Sequence, residues 1–190
     1  MIDKAQALIE TVARRMVQLN GFALLAVALL VAVDVVSRKA FGLTLAGSDE
    51  ISGYVLAVSS AWAYAYCLLH RGHIRIDLVY ARFPLRLRCL FDVIGLSALL
   101  LFVSLFSHKA LGVFLESMEY GSVSNTPLQT PLWIPQLFWV MGLLFFAVTL
   151  IVLCVRSILA LVRGDLGTVA KIAGIPSIEE EIATETRGST

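Results

Sequence analysis

The stretch from His70 to Tyr80, HRGHIRIDLVY, holds the densest group of ionisable side chains, directly after nineteen residues without a charge. His70 and His73 stand three residues apart, a spacing that suits two metal ligands on one helix face. Gly72 lies between them, however, and the third histidine, His108, belongs to a different apolar segment. A haem held between helices needs histidines that face each other from within those helices. The pattern therefore favours hydrogen bonding over ligation, and we predict no metal site and no cofactor.

Two acidic residues interrupt the apolar segments and are the next candidates for chemistry. Asp34 has Arg38 four residues after it, and Asp92 has Arg88 four residues before it. A charge inside a membrane span costs about 2.5 to 3.5 kcal/mol on insertion scales, so such residues are candidates for ion or proton transfer. Residues four apart share a helix face and can pair. Because both carboxylates lie near a segment end, pairing or a partner contact is favoured over a relay.

The chain lacks the sequence patterns of the common enzyme classes. It has no nucleotide-binding loop, no HExxH and no GxSxG. Cys67, Cys89 and Cys154 show no CxxC spacing, which predicts buried free thiols rather than a zinc site or disulfides. The 15 basic and 14 acidic residues nearly cancel, so nothing favours a nucleic acid partner. We predict a protein that is not an enzyme and does not bind nucleic acid.

The composition places the chain among integral membrane proteins. Of its 190 residues 58% are hydrophobic and 15% charged, with a mean hydropathy of +0.84. About 20 helical residues cross the hydrocarbon core of a bilayer. Four segments qualify as helices of an all-α membrane domain over residues 16–163, namely about 16–36, 51–69, 85–119 and 132–155. The third would be about 50 Å long, so it must tilt, protrude or break, with Gly112 as a weak point.

The lysines and arginines that flank these segments are unequally distributed between the two sides of the membrane. One side holds Lys4, Arg14, Arg15, Arg71, Arg75, Arg82, Arg86, Arg88, Arg156, Arg163, Lys171 and Arg187. The other side holds Arg38, Lys39 and Lys109. Cytoplasmic flanks carry the excess of positive charge, so both termini and the HRGHIRID stretch are predicted to be cytoplasmic. There the arginines can reach lipid phosphates while the neighbouring isoleucines face apolar surroundings.

Two flanking segments complete the predicted organisation. Residues 1–16 carry apolar side chains at helical spacing, which predicts an amphipathic helix on the membrane surface. Residues 164–190 end in SIEEEIATETRGST, which predicts a polar, disordered cytoplasmic tail.

The second apolar segment has recognisable sequence patterns at both ends and along one face. It follows Ser48, Asp49 and Glu50, where a hydroxyl can cap the first amides and acidic groups suit the positive end of the helix dipole. At its other end Gly72 is expected to let the chain turn away. Small residues recur every four positions, a spacing that allows close helix packing: Gly53, Ala57, Ala61 and Ala65.

DEISGYVLAVSSAWAYAYCLLHRGHIRIDLVY resembles the small membrane subunit of tripartite ATP-independent periplasmic (TRAP) transporters, the DctQ-like family. The family's Arg-Gly-His-x-Arg-x-Asp junction is matched by Arg71, Gly72, His73, Arg75 and Asp77. SNTPLQTPLWIPQLFWVMG resembles the proline- and tryptophan-containing start of its fourth span, and the similarity covers roughly residues 33–150. A tryptophan often precedes the acidic pair in the family, whereas this chain has AGSDE.

The resemblance implies a role in the bacterial inner membrane. The family's transporters take up organic acids with sodium, and a periplasmic substrate-binding protein delivers the substrate to a large multi-span subunit that moves as an elevator. The small subunit would act as a scaffold for that subunit. Arg71, His73, Arg75 and Asp77 would then fix the cytoplasmic turn against lipids or the large subunit. Asp49 and Glu50 would contact the large subunit or the binding protein.

Two other functions are compatible with four apolar spans. One is a membrane anchor subunit of a redox complex, with quinone or haem between its helices. The other is a channel that works alone, which the lack of a polar stripe along the spans disfavours. We expect a supporting subunit, because an independent transporter typically has broken helices and repeated halves around a central site.

Overall fold

A computed structural model describes residues 2–72 and 83–174, and this part of the chain is almost entirely helical. The helices are α1 (Ile2–Phe41), α2 (Ser48–Leu69), α3 (Leu85–Glu119), α4 (Trp133–Val162) and α5 (Leu166–Ala173). The first four are long and apolar enough to cross a membrane. The predicted all-helical architecture with four candidate spans is therefore confirmed, and within the described residues the β-structure amounts to a single bridge between Val123 and Pro131.

The four long helices pack in the order α1, α2, α4, α3 rather than in chain order. α2 packs against both α1 and α4, and α3 packs mainly against α4. Half of the most apolar stretch of α4 is buried, whereas almost all of the corresponding stretch of α1 remains uncovered. The short helix α5 lies against α3 and α4, where Cys89 and Val169 form a small core. Helix α4 is therefore the centre of the domain.

Helix α1 packs on α2 along one narrow stripe. Buried or half-buried residues recur along it in alternating steps of four and three: Ile9, Ala13, Met16, Asn20, Ala23, Val27, Leu30, Asp34 and Ser37. A repeat of 3.5 residues is the spacing of left-handed coiled coils, in which two helices stay in contact over many turns. The remaining faces of α1 are covered with exposed apolar side chains, including Phe22 and Leu29.

Helices α1 and α3 are both much longer than the bilayer core is thick. α1 is continuous over 40 residues, without a break near Met16 where the amphipathic segment was expected to end. At 1.5 Å per residue it measures about 60 Å, against about 30 Å for the hydrocarbon core. α3 is likewise continuous over 35 residues, so Gly112 does not break it. Gly112 lies in open space, and helical hydrogen bonding on both sides outweighs the modest cost of one glycine.

Only half of the predicted small-residue face of α2 is buried against another helix. Ala61 and Ala65 are buried, whereas Gly53 and Ala57 face outward. Opposite Ala61 lies Gly142 of α4, where an added Cβ would stand 2.9 Å from the Trp62 ring and 3.0 Å from the Ala61 Cβ. The indole N–H of Trp62 donates to the Phe138 carbonyl at 3.0 Å. The close approach of α2 and α4 therefore depends on small residues from both helices.

Free thiols were predicted, and all three cysteines are free. Cys89 and Cys154 are buried and Cys67 is half-buried.

Candidate partner interface

The polar side chains that sequence reasoning singled out lie at two opposite ends of the helices. The α1–α2 and α3–α4 connections share one end, which we call the hairpin end (residues 42–47 and 120–132). The opposite end, called the tail end, holds the end of α2, the start of α3 and helix α5. Because the two ends lie at opposite ends of the candidate spans, they can meet different partners.

At the hairpin end, Asp34 holds the α1–α2 connection. Its carboxylate is almost fully buried and pairs with the Arg38 guanidinium, as the four-residue spacing predicts. It also accepts the Leu45 backbone N–H at 2.6 Å and the Ser48 hydroxyl at 3.2 Å. These two contacts were not foreseen, because they join residues 11 and 14 positions away. The arrangement closes the connection over the end of α1.

The Ser48 hydroxyl was expected to cap α2, and that expectation is wrong. Ser48 is already helical, and the N-cap residue is Gly47, which has no side chain to offer. Because the helix begins one residue before the expected cap position, the Ser48 hydroxyl caps no amide and instead donates to the Asp34 carboxylate. Asp49 stays exposed one residue further on.

Glu50 joins α2 to the α3–α4 connection. One carboxylate oxygen accepts the Tyr54 hydroxyl at 2.7 Å, and the other accepts the Thr126 hydroxyl. Thr126 also lies 2.9 Å from the Ser124 hydroxyl. The sequence placed Glu50 among possible partner contacts, and the structure shows that its carboxylate has partners within the chain. The exposed Asp49 is the more available group.

The α3–α4 connection is folded back on itself and rests on the α1–α2 connection. The Ser124 N–H donates to the Thr130 carbonyl and the Leu132 N–H to the Ser122 carbonyl, both at 2.9 Å. Leu128 packs over Gly47 so closely that an added Cβ would stand 2.1 Å from its Cδ1. Gly47 has a φ of 95°, so both its conformation and its neighbour require glycine.

At the tail end, α2 ends in a Schellman motif. Its left-handed residue comes one position before Gly72, which the sequence had suggested for the turn. The Gly72 N–H donates to the Cys67 carbonyl at 2.9 Å and the Arg71 N–H to the Leu68 carbonyl at 3.1 Å. The left-handed residue is therefore Arg71, with a φ of 54°, and not Gly72. A Cβ on Gly72 would stand 3.1 Å from the Cys67 thiol, so this glycine provides space rather than conformation.

The other tail-end candidates are only partly described. His70 stacks on Tyr66 with ring centroids 4.0 Å apart, and its Nδ1 lies 3.0 Å from the Tyr66 carbonyl. This fits the predicted hydrogen bonding of the histidine. His73, Arg75 and Asp77 lie outside the described residues.

Asp92 and Arg88 lie near the start of α3. Asp92 is buried, and the Arg88 Nε donates to the Phe83 carbonyl at 2.7 Å. The pairing of these two side chains stays a prediction. Over residues 2–72 and 83–174, no group of three or more His, Cys, Asp or Glu side chains could hold a metal ion. The described polar contacts at the hairpin end therefore hold the helix ends and their connections together.

A comparison with models of protein families gives a match for this chain. The family model for the DctQ component of tripartite ATP-independent periplasmic transporters matches residues 27–160, which include α2, α3, most of α4 and the last part of α1 from residue 27 onward. No curated protein and no solved structure matches the chain.

Proposed function

Because this chain belongs to the DctQ component family of tripartite ATP-independent periplasmic transporters, we propose that it is the scaffold for a large, sodium-driven transport subunit. The proposed substrates are organic acids, delivered by a periplasmic substrate-binding protein. The family match over residues 27–160 carries the proposal.

The packing of the helices supports a scaffold role. An element that moves across a bilayer needs a counterpart that stays in place. Here the α1–α2 seam runs over most of α1, and Asp34 and Glu50 lock both connections at the hairpin end. Hydrogen bonds to charged groups are stronger than neutral ones, so these ends resist opening. The exposed apolar faces of α1 and α3 leave wide surfaces for a membrane partner or lipid.

We assign the two ends to the two sides of the bacterial inner membrane. The excess of lysine and arginine at the tail end supports a cytoplasmic location for that end and for both termini. The hairpin end is then periplasmic, where Asp49 can meet the large subunit or the binding protein. Arg71, His73, Arg75 and Asp77 serve on the cytoplasmic side, against lipid headgroups or the large subunit.

Reconstitution tests the scaffold role directly. Proteoliposomes with a sodium gradient would receive the large subunit and the binding protein, with or without this chain, and uptake of a labelled organic acid would be measured. We expect uptake only when all components are present. Solute accumulation by this chain alone would disprove the scaffold role.

Variants in the junction that follows α2, residues 71–77, test the cytoplasmic role proposed for it. Arg75→Ala and Asp77→Ala should reduce recovery of the large subunit with this chain, because each removes a charged group from the junction. Arg163→Ala, an exposed arginine elsewhere at the tail end, is the matched control. Undiminished assembly and uptake in the junction variants would reject the assignment.

A further inference from the structure

A groove opens between α1, α2 and α4, from the hairpin end towards the middle of α2. Its volume is about 300 Å³, and apolar side chains form most of its wall. The lining includes Asn20 and Ala23 of α1, Val58 and Ser59 of α2, and Ile134 and Phe138 of α4. No helix of the described chain covers this opening, although three helices border it.

Two polar groups in this groove have no hydrogen-bond partner among the described residues. They are the amide nitrogen of Asn20 and the hydroxyl of Ser59, and Ser59 is 4% exposed. The neighbouring Ser60 donates to the carbonyl four residues before it, at 2.8 Å, as hydroxyls in helices commonly do. Ser59 makes no such bond, so its buried hydroxyl is left unsatisfied by the described residues.

The depth of these groups decides what can satisfy them. Ser59 stands in the middle of the 22-residue helix α2, about 16 Å from either end. Lipid at that depth is hydrocarbon and offers no hydrogen bond, while unpaired polar groups there are costly. The ester groups of a phospholipid lie near the membrane surface, so a lipid filling the groove would leave both groups unpaired.

We infer that the groove receives a membrane helix of the large subunit, and that a polar side chain or free carbonyl of this helix bonds to Asn20 and Ser59. This inference rests on the proposed function. Two buried, unsatisfied polar groups on residues that line one opening need a hydrogen-bond partner, and polar side chains are the usual source of such bonds between membrane helices. Asn20 also lies on the α1–α2 stripe, so the bond would connect the partner to the seam.

Co-purification of the intact complex tests the inference. A tag on this chain would be used to recover the large subunit from detergent extracts. The combined variant Asn20→Leu, Ser59→Ala should recover about three- to tenfold less of it, the effect of losing one or two interhelical hydrogen bonds. Recovery equal to that of the native chain would overturn the inference.

The control variant is Ser107→Ala, Ser157→Ala. Both serines are buried, and their hydroxyls have no partner among the described residues, but neither lines the groove. Recovery with this variant should match the native chain. Helix content and elution of each variant chain, purified by itself, would show whether lost recovery comes from misfolding.

Photocrosslinking keeps the inference testable if the combined variant does not fold. A benzophenone side chain at Val58, inside the groove, should form an adduct with the large subunit. The same probe at Phe22, on an exposed face of α1, should react less with it. A Val58 adduct with lipid only, or with a second copy of this chain, would contradict the inference. If the native chain recovers no large subunit at all, the proposed function itself fails.

Discussion

Single residues at the helix ends show how local and distant interactions combine. Asp34 pairs with Arg38 within one helix, and this pair follows from the spacing alone. The contacts to Leu45 and Ser48 depend on how the next connection folds back. The end of α2 is equally hard to predict from the sequence. A shift of one residue in the helix end decides whether Arg71 or Gly72 takes the left-handed conformation.

The Asp34 carboxylate should control the rigidity of the α1–α2 connection. In Asp34→Asn, the charged acceptor for the Leu45 N–H is lost, so exchange of the Leu45 amide with solvent should quicken about tenfold. Hydrogen exchange measured by mass spectrometry or NMR would report this. Asp49→Asn removes an exposed carboxylate from the same end and should leave the exchange unchanged. Equal exchange in both variants would show that Asp34 does not hold the connection.

The left-handed conformation of Arg71 should carry a measurable strain. Arg71→Ala and Arg71→Gly both remove the guanidinium, but only glycine adopts this conformation without cost. The glycine variant should therefore be more stable than the alanine variant by about 1 kcal/mol. Denaturant unfolding in detergent, followed by helix content, would compare them. Identical midpoints would count against a strained turn.

At the scale of elements, the sequence predicts the existence of helices better than their ends or contacts. Hydropathy and length locate four spans because a helix satisfies its own backbone groups in lipid. The same signals do not show that α1 continues from the amphipathic segment into the first span. They also do not show that Ala61 and Ala65, but not Gly53 and Ala57, face α4.

The packing of α2 against α4 should be destabilised if Gly142 gains a side chain. Gly142→Ala places a methyl group against Trp62 and Ala61, and we expect a loss of about 1 to 3 kcal/mol from overpacking. Gly112→Ala is the control, because Gly112 has no neighbour within 4 Å and alanine favours the helix. Unfolding midpoints should shift in opposite directions. A stabilised Gly142→Ala would contradict the close packing.

Helix α5 should loosen in acid. The Thr168 hydroxyl and backbone N–H donate to Asp165 at 2.6 Å and 3.0 Å, and these bonds lower the pKa of the Asp165 carboxyl from 3.8. Because the folded-state pKa is lowered, this contribution is complete above the ordinary value of 3.8 and is lost as pH falls through the lowered value. The Val169 amide, in the same helix, should then exchange faster.

Asp165→Asn provides the control for this pH effect. Asparagine can cap the helix but has no carboxyl to protonate, so the acid-induced change in Val169 exchange should disappear. If the variant and the native chain respond alike to acid, another group is responsible.

At the scale of the whole molecule, the order α1, α2, α4, α3 places the sites at two opposite ends. This order brings Thr126 to Glu50 and Leu128 to Gly47, pairs separated by most of two helices in sequence. It also leaves the groove that holds Asn20 and Ser59. No local pattern in the sequence predicts these contacts or the groove.

The assignment of sides can be tested on whole cells. With Cys67, Cys89 and Cys154 replaced by alanine, a single cysteine would be introduced at Leu43 or at Val162, which are both highly exposed. A membrane-impermeant maleimide should label Leu43→Cys in intact cells and Val162→Cys only after lysis. The reverse pattern would place the hairpin end in the cytoplasm.

The sequence by itself determined the class of the protein, its four apolar helices, its free thiols and the pairing of Asp34 with Arg38. These features depend on composition and on neighbours within one or two turns, which a linear pattern contains. Only the tertiary structure decided the order of the helices, the partners of Glu50 and the open groove. Those features depend on which faces of distant helices meet, and in lipid hydropathy hardly distinguishes one apolar face from another.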